Sequence, residues 1–206
     1  MNLSKYRLPK ELLIIFEHLT DEQKIETAIQ EYSIQDRVCI FTYYELEQHT
    51  YAKSLLLEKY KKDPNSLFFY SKDMICGRWL EAEPMIMTSP GYAYHYSLDV
   101  IRGRWPEAEP TIMKDIAYAY AYSRDVIKGR WPEVEPTIMT SPEYAYIYSR
   151  DIIQGRWPEA EPIIMASPEY AYCYSYEIIK GRWLEAEPTI MKDSQCWRLY
   201  KRHFKL

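Results

Sequence analysis

Between Tyr144 and Gln154 the chain reads YAYIYSRDIIQ, where apolar and polar residues first alternate and then cluster. At about 100° per residue, Ala145, Tyr148, Ser149, Ile152 and Ile153 share one broad face with Tyr144 and Tyr146 at its edges, and Ile147, Arg150, Asp151 and Gln154 lie opposite. The pattern predicts an amphipathic helix. Two-residue alternation in YAYIY competes with this reading, but the flanking residues decide for the helix. Asp63, Ser89, Asp115, Ser141, Ser167 and Asp193 recur at one constant interval as N-cap candidates. Pro64, Pro90, Pro142 and Pro168 follow at the first helical position, where a missing N–H costs nothing. Thirteen residues later stand Gly77, Gly103, Gly129, Gly155 and Gly181, expected as left-handed C-terminal caps. Cap, proline and glycine together delimit a helix of about 13 residues, roughly 20 Å long.

A second, shorter helix is predicted in PEAEPTIMT. Pro158 and Pro162 both fit its first turn, Glu159 and Glu161 sit at the positive end of its dipole, and Trp157, Ile164 and Met165 form its buried side. A helix pair this small cannot bury its own apolar face, so successive pairs must stack. The triplets Gly77-Arg78-Trp79, Gly103-Arg104-Trp105, Gly129-Arg130-Trp131, Gly155-Arg156-Trp157 and Gly181-Arg182-Trp183 mark five units at a constant spacing of 26. These residues are read as structural. The expected fold is all-α: an α-solenoid of short helix-turn-helix repeats, with a helical N-terminal segment over 1–60, tandem repeats over 61–193 and a basic C-terminal capping helix over 194–206. In the N-terminal segment, helical patterns run through LPKELLIIFEHL, TDEQKIETAIQEY and QDRVCIFTYYELEQH.

Composition narrows the compartment and the partners. The 206 residues are 47% hydrophobic and 27% charged, a globular balance, and only six are glycine. The net charge of -4 selects no nucleic-acid class by itself. The first apolar run is interrupted by Glu17 and His18, too short for a signal core or a membrane span. Cys39, Cys76, Cys173 and Cys196 fall at no CxxC spacing, which suits free thiols in a reducing cytoplasm. No metal or cofactor is expected.

Three sets of residues invite a chemical reading. The paired glutamates, Glu159 and Glu161 and their equivalents, occur five times over, whereas general acid-base catalysis needs one distinguished pair. Helix-start charges that meet neighbouring arginines are the structural reading. Asp73, Asp99, Asp125, Asp151 and Glu177 each precede a repeat arginine by five residues, so pairing across the glycine turn is expected. The same arginines could instead form a phosphate-binding stripe beside aromatic side chains. Residues 71–193 oppose this with 13 basic against 19 acidic residues. Tyr144 and Tyr148 are read as core rings whose hydroxyls reach the rim. His18, His49, His95 and His203 form no nucleophilic constellation, so no catalytic residue is assigned and no enzyme is expected.

Function is therefore sought where the repeats differ. One outward position reads Phe69, His95, Ala121, Ile147 and Cys173, and a second reads Lys72, Leu98, Arg124, Arg150 and Tyr176. These ten are the candidate partner-binding residues. Drift on a solvated face is the alternative.

The strings YAYAYSRDVIKGRWPEVEPTIM (118–139) and YAYIYSRDIIQGRWPEAEPIIM (144–165) resemble tandem repeats found in proteins of tailed bacteriophages. The resemblance covers about two thirds of the chain and leaves out residues 1–60. It implies a small accessory protein in the bacterial host cytoplasm, one that binds a host protein or protein complex and inhibits host defence, such as a CRISPR or restriction system. A nucleic-acid or nucleotide-binding helical repeat and a structural virion component stand as alternatives.

Overall fold

A computed structural model describes residues 10–33, 37, 40–41, 44–46 and 50–206, and among these all regular structure is helical. Cys39, His49 and most of the third N-terminal pattern lie outside the described residues. Two compact units make up the chain, Met1–Thr111 and Ile112–Leu206.

The first unit contains helices Lys10–Phe16, Asp21–Glu31 and Thr50–Tyr60, then the first repeats. Thr20 starts the second helix with a capping box: its hydroxyl accepts from the Gln23 N–H while the Gln23 side chain accepts from the Thr20 N–H. Phe16, Ile25, Ala28, Phe41, Leu56 and Leu67 are fully buried together with Tyr70. Arg37 ties this segment to the repeats. Its Nε donates to the Ala28 carbonyl at 2.9 Å, and Nη1 donates to the Tyr70 hydroxyl at 2.8 Å and to that of Tyr60.

The second unit repeats one plan three times. Helices Ile116–Tyr122, Pro142–Tyr148 and Pro168–Tyr174 each pair with a short helix, Glu135–Ile138, Glu161–Ile164 and Glu187–Ile190, and Ser194–Phe204 adds one more long helix. All four predicted caps in this unit occupy cap positions with extended backbone. Asp115 and Asp193 each accept two backbone N–H groups, Ser141 accepts one, and Ser167 makes no side-chain cap bond.

The long helix departs from expectation in its second half. Instead of one α-helix, Pro142–Tyr148 runs directly into a π-helical stretch, Ser149–Ile153, and the same happens at Ser123–Ile127 and Ser175–Ile179. The buried Ser149 hydroxyl donates to the Ala145 carbonyl at 2.7 Å, a back-bond that loosens the i−4 ladder where the turn widens. The change of pitch rotates the apolar face. Ala145, Tyr148 and Ser149 are buried as expected, whereas Ile152 and Ile153 are only half-buried.

The glycines are not the left-handed caps. Gln154 takes that conformation at φ 56°, as do Cys76, Arg102, Lys128 and Lys180, and no glycine has positive φ. The Gln154 and Gly155 N–H groups both donate to the Ser149 carbonyl, so the closing bond reaches back six residues and the reversal falls one residue before the glycine. A Cβ at Gly155 would meet nothing within 4 Å.

The short helix is also shorter than expected. Pro162 has no N–H to bond back to residue 158, so a helix cannot start there, and only the single turn Glu161–Ile164 forms. Trp157, Ala160 and Ile164 are buried, while Met165 is half-buried.

Because a left-handed non-glycine residue costs roughly 1–2 kcal/mol, Gln154→Gly is expected to stabilise the fold by about 0.5–1 kcal/mol once the added freedom of the unfolded chain is deducted. Gly155→Ala is expected to be neutral or stabilising by up to about 1 kcal/mol. Urea denaturation of both variants checks the pair, and a destabilising Gly155→Ala would contradict the cap assignment.

Candidate functional site

Within each of the two compact units, the recurring corner closes around a tyrosine from the next long helix. In the second unit the Tyr148 hydroxyl accepts from the Trp131 N–H at 2.7 Å and donates to Glu135 at 3.5 Å. Arg130 grips the same carboxylate with Nε and Nη2, both at 2.8 Å. Tyr174 and Tyr200 repeat this arrangement on Trp157 with Glu161 and on Trp183 with Glu187. In the first unit, Tyr96 does the same with Trp79 and Glu83, and Arg104 is paired bidentately with Glu109. The rings of Tyr96, Tyr148 and Tyr174 also pack on the following tryptophan, with Tyr148 and Trp157 at 5.3 Å between centroids and Tyr174 and Trp183 at 5.1 Å.

The expected pairing of the helix-start glutamates with neighbouring arginines forms, whereas the pairing with the upstream acids and the placement of the core tyrosine hydroxyls are corrected. The repeat arginines pair with the glutamate five residues downstream, not with the acid five residues upstream. The chain reverses at the left-handed residue before the glycine, and the arginine that follows meets the glutamate at the start of the short helix. The two glutamates of each pair also differ: Glu161 carries the arginine, and Glu159 is exposed. The core tyrosine hydroxyls do not reach the rim. They are held inside by a backbone N–H that has no helical partner of its own.

The upstream acids belong to an outer row. In the second unit the Tyr120 hydroxyl donates to Asp151 at 2.5 Å and that of Tyr146 to Glu177 at 2.6 Å. Arg124 and Arg150 bond Asp125 and Asp151 and lie over the Tyr120 and Tyr146 rings, each at 5.3 Å. Arg150 holds the Asp151 carboxyl below its ordinary pKa. In the first unit Lys72 pairs with Asp99 at 2.8 Å. At the last step of the row the charges give way to rings. Tyr176 replaces the arginine, His203 replaces the acid, the Tyr172 hydroxyl meets His203 Nδ1 at 2.8 Å, and Tyr176 lies 4.4 Å from the imidazole.

The predicted partner-binding positions divide accordingly. Phe69, Lys72, His95, Arg124, Arg150 and Tyr176 are exposed, whereas Leu98, Ala121, Ile147 and Cys173 are half-buried. The outward positions of the first column thus become less exposed along the chain. Sequence reasoning missed the tyrosine node, although its signal was present: the interval from Trp131 to Tyr148 recurs from Trp157 to Tyr174 and from Trp183 to Tyr200.

Among the described residues, no group of three or more His, Cys, Asp or Glu side chains is placed to hold a metal ion, and no helix is long and apolar enough to cross a membrane. The chain matches no protein family, no curated protein and no solved structure.

Two outcomes test the node. Tyr148→Phe leaves the buried Trp131 N–H without an acceptor and is expected to cost about 1–3 kcal/mol in chemical denaturation. Burial, followed by the Glu161 carboxylate, pushes the Tyr174 hydroxyl up to about 12, against the Trp157 N–H, which lowers it. The unfolded value is about 10. A raised pKa means that the contribution is complete below pH ~10 and is lost as pH climbs through the folded value. Ultraviolet titration is therefore expected to show tyrosinate appearing late, and stability falling between pH ~10 and ~12.

Proposed function

We propose that this protein is a non-catalytic helical-repeat scaffold that binds a protein partner, and that the partner is a bacterial host protein or defence complex. The observation that carries this reading is the division of labour within each repeat. The recurring Arg, Trp, Glu and Tyr of the corner are bound to one another in the node, and six of the ten positions that differ, Phe69, Lys72, His95, Arg124, Arg150 and Tyr176, are exposed. Phe69 and Tyr176, respectively 38% and 48% exposed, are aromatic side chains of the kind enriched at protein interfaces. The host-defence assignment rests on the sequence resemblance to phage repeats, which supports an accessory role inside an infected bacterium.

The arginine ladder favours a protein partner over nucleic acid. Arg78, Arg104, Arg130, Arg156 and Arg182 each have their fork engaged by a glutamate, so gripping a phosphate would mean breaking a bidentate pair. An enzyme would need a distinguished constellation, and the repeated node is structural in every unit where it is described.

Full-length protein used as bait in host lysate is expected to retain a discrete protein or complex. Phe69→Ala and Tyr176→Ala are expected to lower that capture by about tenfold, the loss of one aromatic anchor, with thermal stability nearly unchanged. Retention of nucleic acid alone, or capture indifferent to both substitutions, would contradict the reading. In gel-shift titrations with RNA and DNA no salt-dependent complex is expected.

A further inference from the structure

Within each of the two compact units, an aromatic pair packs between successive long helices. Phe68 meets Tyr92 at 5.9 Å in the first unit, and Tyr120 meets Tyr144 at 6.0 Å and Tyr146 meets Tyr170 at 5.9 Å in the second. The interval from one partner to the other is the same in all three pairs. The next pair in that register is Tyr172 with residue 196, and residue 196 is a cysteine. A cleft of about 460 Å³ opens at this junction, lined by Tyr172, Cys173, Cys196 and Leu199 with Glu169 and Asp193. The cleft lies where the register calls for a tyrosine ring that the sequence does not supply.

The polar end of the missing ring is provided for as well. At the preceding junction the Tyr170 hydroxyl is raised in pKa by burial and then by the Glu143 carboxylate, which faces it. The equivalent of Glu143 in the following repeat is Glu169, which lines the cleft and is exposed there. Asp193 is already occupied in capping Ser194–Phe204, accepting from the Gln195 and Cys196 N–H groups at 2.9 and 2.7 Å. Burial and Asp193 push the Cys196 thiol up to about 11, so it is a neutral lining group at pH 7 and not a nucleophile.

We propose that this cleft is a docking site for a tyrosine side chain presented by the partner protein, its ring on Tyr172 and Leu199 and its hydroxyl donating to Glu169. The assignment deepens the protein-binding reading and depends on it. The incoming residue completes, in trans, the aromatic pair that the other junctions make in cis. Tyrosine suits the role because its ring contributes area while its hydroxyl reads a single acceptor.

The test uses p-cresol and N-acetyl-tyrosinamide as probes on the full chain, followed by nuclear magnetic resonance, with toluene as the ring without a hydroxyl. Both phenols are expected to perturb Cys196 and Leu199 saturably, the amide at least as tightly as p-cresol. Glu169→Ala is expected to weaken the phenols about tenfold, the effect of one hydrogen bond to a charged acceptor, and to leave toluene unchanged. Cys196→Tyr is expected to abolish binding and raise the melting temperature by filling the cleft. If that variant does not fold, the Glu169→Ala comparison decides alone. Absence of phenol binding, undiminished binding to folded Cys196→Tyr, or an equal effect of Glu169→Ala on toluene would overturn the proposal. Binding of p-cresol without the amide would also overturn it, marking a small-phenol site instead. None of these results bears on whether lysate capture succeeds, so failure of the cleft and failure of protein binding are separable.

Discussion

The backbone N–H of the tryptophan in Gly-Arg-Trp, at Trp79, Trp131, Trp157 and Trp183, sits in a tight buried corner outside any helical ladder. Left unbonded, it would cost about 1–3 kcal/mol. The acceptor is a tyrosine hydroxyl from the next long helix, as in Trp131 with Tyr148 and Trp157 with Tyr174. Most of the repeat follows from that need. The glutamate accepts a hydrogen bond from the tyrosine hydroxyl, the arginine orients the glutamate, and the tyrosine ring becomes the platform for the next tryptophan. The ion pair contributes little by itself because the arginine is half exposed. Its effect is to fix where the carboxylate points, and hence how the next pair seats. An insertion anywhere between the tryptophan and its tyrosine would move the hydroxyl off its N–H, which accounts for a repeat length kept without exception.

The sequence made the helix pairs and their boundaries legible because caps and prolines act locally: Asp115 and Asp193 accept N–H groups where their spacing said they would. The π-helical turn was not legible. A projection at one fixed angle per residue cannot register that Ser149 back-bonds to Ala145 and widens the turn. The left-handed reversal at Gln154, and the half-burial of Ile152 and Ile153, follow from the same blind spot. Pairing was ambiguous for another reason. Asp125 and Glu135 both stand five residues from Arg130, and only the direction of the turn selects Glu135. The candidate surface was legible as variation, but not its grading from exposed Phe69 to half-buried Cys173.

Departures from the repeat are informative in proportion to how strictly the rest is kept. At Tyr176 and His203 a charged pair over tyrosine is replaced by a stack of rings, and at Cys196 a tyrosine of the junction series is missing. Both departures fall in the last repeat and the helix that follows it. The regular corners, by contrast, have their polar groups bound to one another, which leaves little there for a ligand to recognise. A scaffold of this kind separates the residues that hold it together from those free to change, so its surface can diverge without loss of the fold.

Native-state hydrogen exchange at the Trp131, Trp157 and Trp183 amides tests the node most directly. If the tyrosine hydroxyl holds each of these N–H groups, all three exchange only through large-scale unfolding, with protection comparable to the core of the long helices. Exchange at the rate of an exposed turn, with the helices still protected, would contradict the node as the interaction on which the repeat depends.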